Sequence, residues 1–120
     1  MKGLTPSEKA LTIKTKVVER IQKEYLSYEK ELKKETEKLD KYTTDEESAE
    51  RIKKQEAIIA ETKTVFYNVK ANLIKEKENL QSMMDDNTDE NLPSSETWTN
   101  AKARLETVNT FIDEQVLKTN

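Results

Sequence analysis

The sequence predicts an all-α protein, an elongated up-down-up three-helix bundle with left-handed, coiled-coil-like packing. Three observations predict it. Leu11, Val18, Tyr25, Leu32 and Leu39 recur every seven residues, and Ile52, Ile59, Phe66, Leu73 and Leu80 repeat the pattern further on. Trp98, Ala101, Leu105, Val108, Ile112 and Val116 then follow at spacings of three and four. Between Pro6 and Pro93 no Pro or Gly interrupts the chain. A seven-residue apolar period sustained on a helix imposes a left-handed twist on its packing. Stripes this long are not stable on lone helices in water, so each needs the others as partners.

The first helix is expected over about residues 6–42. Thr5 can cap it, Pro6 suits its first position, and Glu8 can reach back as a capping box. A second apolar row, Ile21, Tyr28 and Tyr42, accompanies the first and is interrupted at Lys14 and Glu35. Thr43-Thr44 reads as a short break, and Thr44-Asp45-Glu46-Glu47 repeats the capping-box pattern, so helix 2 is expected over about 45–84. A break this short requires an antiparallel hairpin. The accompanying row of helix 2, Gln55, Thr62, Val69, Glu76 and Met83, is half polar; polar seam residues fix register. Residues 85–94 form an acidic loop, after which Ser94 or Ser95 caps a third helix expected over about 95–118. Helix 3 is shorter than the hairpin, so the end around residues 39–52 is expected to hold two helices without a third. All 120 residues are read as one domain.

Composition narrows the function classes. Only 33% of residues are hydrophobic and 38% are charged, which suits narrow helical seams with solvated outer faces. Disorder is the rival of such a composition; the heptads and caps argue against it. With no Cys and no His, the chain lacks a thiol nucleophile, the commonest general base and the usual transition-metal ligands. The sole Gly, Gly3, cannot build a phosphate-binding loop. The paired acids Glu46-Glu47 and Asp85-Asp86 fall at a cap and in a polar loop, where no pocket would raise a carboxyl pKa for acid–base work. No enzyme and no cofactor is expected. No apolar run approaches a membrane span, and a soluble, cytoplasmic chain is expected.

Net charge is −3 but uneven. Residues 1–43 carry 11 basic and 8 acidic side chains, whereas residues 85–120 carry 3 and 8. A mildly acidic protein with mixed charge along its helices is a poor nucleic-acid binder. Tyr25, Tyr28, Tyr42, Phe66 and Trp98 fall on the predicted seams and read as core, while Tyr67 and Phe111 lie just off them.

Ile13-Lys14-Thr15, Val17-Val18, Arg20, Lys23-Glu24 and Tyr28-Glu29-Lys30-Glu31 resemble the first helix of the tubulin-binding cofactor A family. Ile52-Lys53-Lys54-Gln55, with Glu61 and Leu73, is similar to its second helix. The resemblance covers about residues 11–73; helix 3 matches in pattern alone. Tyr67 stands where the family carries a Pro in helix 2, so an unkinked helix is expected there. The resemblance implies a three-helix bundle that binds β-tubulin after its release from the cytosolic chaperonin. It holds the chain without nucleotide while other tubulin cofactors assemble the heterodimer. Association with the cytoskeleton follows from that role. Bundle physics alone would also fit a generic coiled-coil adaptor or scaffold. The seams are committed to packing, so the partner-binding positions are expected beside them. They are Lys14, Arg20, Lys23, Glu24 and Lys30 on helix 1, with Lys53 and Lys54 outward on helix 2 and Gln55 at the seam edge.

One spacing imitates a metal loop. Asp85, Asn87, Asp89 and Glu96 stand at positions 1, 3, 5 and 12 of a calcium-binding loop, but Glu90 occupies the turn position that needs Gly and Pro93 follows. A calorimetric calcium titration is therefore expected to show no saturable micromolar binding. Binding that disappears on Asp85→Asn would contradict this.

Overall fold

A computed structural model of the chain describes residues 3–118. Among the described residues there is no strand. Helix α1 spans Pro6–Thr44, α2 spans Ala49–Asp85 and α3 spans Glu96–Phe111. A single 3-10 turn, Leu92–Ser94, precedes α3, and a π-helical segment, Ile112–Val116, continues it. The start of α1 is the capping box its sequence implies. Glu8 N–H donates to Thr5 Oγ1 at 3.2 Å, and Thr5 N–H donates to Glu8 Oε1 at 3.3 Å.

The helices group into two compact units. One holds the chain up to Gln22 together with the chain from Asn72 onward; the other holds Lys23–Ala71. In the first, α1, α2 and α3 surround a core of Leu11, Val18, Ile21, Leu73, Leu80, Ala101, Leu105, Val108 and Val116, all buried. Lys14 Nζ meets Glu76 Oε2 at 3.1 Å, bringing the start of α1 beside the later part of α2, and Arg104 Nη2 meets Glu19 Oε2 at 3.4 Å, tying α3 to α1. The second unit is an antiparallel hairpin. Tyr25 and Phe66 stack in a tilted arrangement with ring centroids 4.8 Å apart, and Gln55 Nε2 donates to both Glu35 Oε2 at 2.7 Å and the Glu35 carbonyl at 2.9 Å. Leu32, Leu39 and Ile52 on the same heptad rows are only half-buried.

The hairpin turn lies further along than its sequence suggests: α1 ends two residues later and α2 begins four residues later. α1 continues through Thr43 and Thr44, whose hydroxyls donate back to the carbonyls of Leu39 at 3.0 Å and Asp40 at 2.9 Å, so neither is free to cap α2. The helix ends in a Schellman arrangement: Glu47 N–H donates to the Tyr42 carbonyl and Glu46 N–H to the Thr43 carbonyl. Glu46 takes the left-handed conformation, φ 54°, that this motif usually gives to Gly. Helix α2 therefore begins at Ala49, not at residue 45, and Ser48 is its cap, accepting from Arg51 N–H at 3.2 Å. Arg51 closes the turn by donating to Glu47 Oε1 and to the Tyr42 hydroxyl.

Helix α2 runs through residues 65–69 without a break, as an ordinary residue at Tyr67 allows. In the acidic loop, Asn87 and Asp89 use their side chains on the loop's own backbone, and Leu92 is buried. Ser95 caps α3 by accepting from Trp98 N–H at 3.1 Å. The α-helix stops at Phe111, short of the expected end near residue 118, because its winding widens: Leu117 N–H reaches the Ile112 carbonyl, five residues back. Val108, Ile112 and Val116, spaced by four, would drift by about 40° per step on a regular helix. The wider turn keeps all three buried.

Two stability outcomes follow from this packing. Leu105→Ala is expected to cost about 2–5 kcal/mol in denaturant unfolding, as for other buried leucines. Glu46→Gly is expected to raise stability by roughly 1 kcal/mol, because Gly takes the left-handed conformation without the Cβ penalty.

Candidate partner-binding surface

Most of the heptad-row residues are committed to the seams, while Ile13, Leu26 and Tyr67 are exposed among the charged side chains that project from them. Arg20, Lys23 and Glu24 are exposed on α1, and so is Lys30. Lys53 and Lys54 are exposed on α2, as the inward placement of their neighbours requires. The hydrogen bond from Gln55 to Glu35 sets the register of the hairpin. Lys53 and Lys54 lie on the turn side of that level, whereas Lys23 lies twelve residues before Glu35, roughly 18 Å away along the helix axis. Lys30 lies between these levels, five residues before Glu35, so the four lysines are spread along the hairpin at intervals of one to two helical turns.

Two of the expected positions are placed differently. Gln55, expected at the seam edge, is 3% exposed and lies inside the seam with its amide on Glu35. A buried amide must find acceptors, and Glu35, facing it from α1, supplies both its carboxylate and its backbone carbonyl. Lys14, expected outward, is half-buried in its ion pair with Glu76. Both residues interrupt apolar rows in the sequence, and each interruption on α1 meets one on α2.

The Lys14–Glu76 pair also sets the protonation of Glu76. Partial burial pushes this carboxyl up, but hydrogen bonds from the Asn79 amide and the Lys14 ammonium outweigh burial and hold it below its ordinary value. A carboxyl with a depressed folded-state pKa contributes stability that is present above its unfolded pKa and lost as pH falls through the folded one.

Two grooves open on the three-helix unit, and neither contains any of the expected positions. One, about 350 Å³, runs between α1 and α3 and is lined by Thr12, Thr15, Lys16, Thr97, Asn100 and Thr107, among others. The other, about 330 Å³, lies between α2 and α3 beside Met84, Trp98 and Leu105. Among the described residues no group of three or more acids could hold a metal ion, and no helix is long and apolar enough to cross a membrane. The heptad rows also hid a feature of the hairpin unit: Ile58 and Val65 are exposed on α2, 40% and 36%. Their seven-residue spacing was visible in the sequence, one position outside the rows that define the seam.

The fold is that of an all-α three-helix bundle. The chain belongs to the tubulin binding cofactor A family, whose model matches residues 6–105. Tubulin-specific chaperone A of Mus musculus is 31% identical over 103 residues, spanning 86% of this chain and 94% of that protein. The Oryctolagus cuniculus protein of the same name is equally similar over the same span. The structure of human tubulin chaperone cofactor a superposes with a TM-score of 0.72 at 30% identity, covering 87% of this chain and 99% of that one.

Glu76→Gln is expected to lower the melting temperature at pH 7. The gap to the unchanged protein should close as pH falls through the carboxylate range, because the protonated Glu76 no longer pairs with Lys14. A gap that stays constant down to pH 2 would show that the charge of Glu76 contributes nothing.

Proposed function

We propose that this protein is a tubulin-folding chaperone. It binds β-tubulin after release from the chaperonin and holds it, without nucleotide and without catalysis, until other tubulin folding cofactors assemble the heterodimer. The observation that carries this reading is the family match, which runs through α1, α2 and most of α3. The placement of side chains supports a binding role. The long helices keep their apolar rows for each other and present charge outward, so a client is met by helix faces.

The exposed lysines Lys23, Lys30, Lys53 and Lys54, with Arg20 and Glu24 beside Lys23, are the contact positions this reading favours. Lys14 and Gln55 act from within the seam, by fixing how the two helices face each other. Exposed lysines raise the association rate for an acidic client and make it salt-sensitive. The place of action is the cytoplasm, with the cytoskeleton as the destination of the client.

Purified β-tubulin chains should be retained by the immobilised protein at low salt and less so as salt rises. Reversing Lys53 and Lys54 to Glu together should weaken capture by several-fold, at unchanged helicity and melting temperature. Capture equal to that of the unchanged protein would remove this pair from the contact. Failure of the unchanged protein to retain β-tubulin at any salt would remove the chaperone reading.

A further inference from the structure

The seam of α1 decides which of its side chains stand farthest from it. With Leu11 as the first of seven, the outermost positions are the third and sixth of each heptad. From residue 9 to residue 34 these positions hold Lys9, Lys16, Arg20, Lys23, Lys30 and Lys34, with Ile13 and Ser27 between them and no acid. All are exposed. Glu24 and Glu31 line one edge of the row, and Glu29 lies nearer the seam. The opposite edge holds Lys33 and Glu19, and Glu19 is closed on Arg104. The corresponding outer row of α2 alternates in sign through Glu50, Lys54, Glu61, Lys75 and Glu78. A charged helix face is ordinarily solvated with its signs interspersed; on α1 the signs are sorted.

Among the described residues, the ammonium groups of Lys9, Lys16, Lys30 and Lys34 make no hydrogen bond or ion pair, whereas Arg20 and Lys23 are engaged within the molecule. Lys16 also borders the groove between α1 and α3. The side chains of Thr12 and Asn100 line that groove without a hydrogen-bond partner among the described residues.

We infer that the outer row of α1 docks an acidic polypeptide segment. Helix α1 is uninterrupted, so the row runs roughly 37 Å along it. An extended chain at about 3.3 Å per residue covers that length with roughly eleven residues. Its carboxylates lie along Lys9, Lys16, Lys30 and Lys34, and its backbone carbonyls accept from Thr12 and Asn100 beside Lys16. Nucleic acid fits the row less well. One Arg and no aromatic side chain give neither a set of bidentate phosphate contacts nor base stacking, and the net charge of the chain is −3. Binding in a membrane surface requires an apolar helix face, and that of α1 is buried in the seam. That the acidic segment belongs to a tubulin chain rests on the function proposed above.

The test uses two probes. The first is a synthetic peptide of about twelve residues alternating Glu and Gly, compared by fluorescence anisotropy with the same peptide carrying Gln for Glu. The unchanged protein should bind the Glu peptide about tenfold or more tightly at low salt, and the preference should shrink as salt rises. Lys16→Glu with Lys30→Glu should abolish the preference. Lys53→Glu with Lys54→Glu makes the same change in net charge and should leave it intact. All four positions are exposed, so both double variants should keep their helicity and melting temperature. Equal binding of the two peptides, or equal loss of preference in both double variants, would overturn the inference. Tighter binding of a single-stranded oligonucleotide of matching length would overturn the assignment to a polypeptide. The second probe is the β-tubulin chain. Loss of capture by Lys16→Glu with Lys30→Glu would support the row as the client site. Full capture by that variant would overturn the row as that site and leave the chaperone reading standing. Absence of capture by the unchanged protein, with the peptide preference intact, would sink the tubulin reading alone.

Discussion

The amide of Gln55, buried against Glu35, and the ammonium of Lys14, closed on Glu76, determine how α1 and α2 face each other. A chain with this little apolar content forms only a narrow seam, and a narrow seam tolerates few register errors when polar side chains lie within it. Slipping either pair by one heptad would leave an amide or a charge desolvated without a partner, at a cost of about 1–3 kcal/mol or more. Apolar rows that repeat every seven residues are nearly indifferent to such a slip, since one Leu replaces another. The polar interruptions therefore carry the register, while the apolar rows carry most of the stabilisation.

This separation also explains what remains for binding. The heptad-row side chains are committed between helices, and the two open grooves on the three-helix unit contain none of Lys23, Lys30, Lys53 and Lys54. Under the proposed function, recognition uses exposed helix faces, where affinity comes from many modest contacts and from charge arrangement rather than from burial of a small ligand. A member of the tubulin binding cofactor A family meeting a large protein client has use for such faces.

The helices and their inward rows were legible because a seven-residue period survives in the sequence whatever the surroundings. The turn was not. Thr44-Asp45-Glu46-Glu47 has the composition of a cap, yet Thr43 and Thr44 satisfy their hydroxyls within α1 and the chain reverses at Glu46, which lacks the Gly that would have announced it. The pairing of interruptions was half legible: Lys14 and Glu35 stood out as gaps in one row, Gln55 and Glu76 as polar members of the other. Which gap meets which depends on turn length, and the turn is longer and later than its sequence suggests, its start by two residues and its end by four. The exposure of Ile58 and Val65 escaped because their spacing matches that of the seam and shows as exposure only once the seam is in place. The widened end of α3 escaped because hydrogen bonds reaching five residues back have no composition signature.

The position of the turn bears on how the chain acquires its structure. Gln55 and Glu35 are 20 residues apart in sequence, whereas Lys14 and Glu76 are 62 apart. The entropy lost in closing a loop rises with its length, so the pair nearest the turn closes at the lower entropic cost and shortens the effective loop for the next. Loop-closure entropy thus favours pairing outward from the reversal at Glu46, with the Gln55–Glu35 bond closing at lower cost than the Lys14–Glu76 pair. A chain mispaired there would stall with most of both helices still unmatched, early enough to unzip and try again.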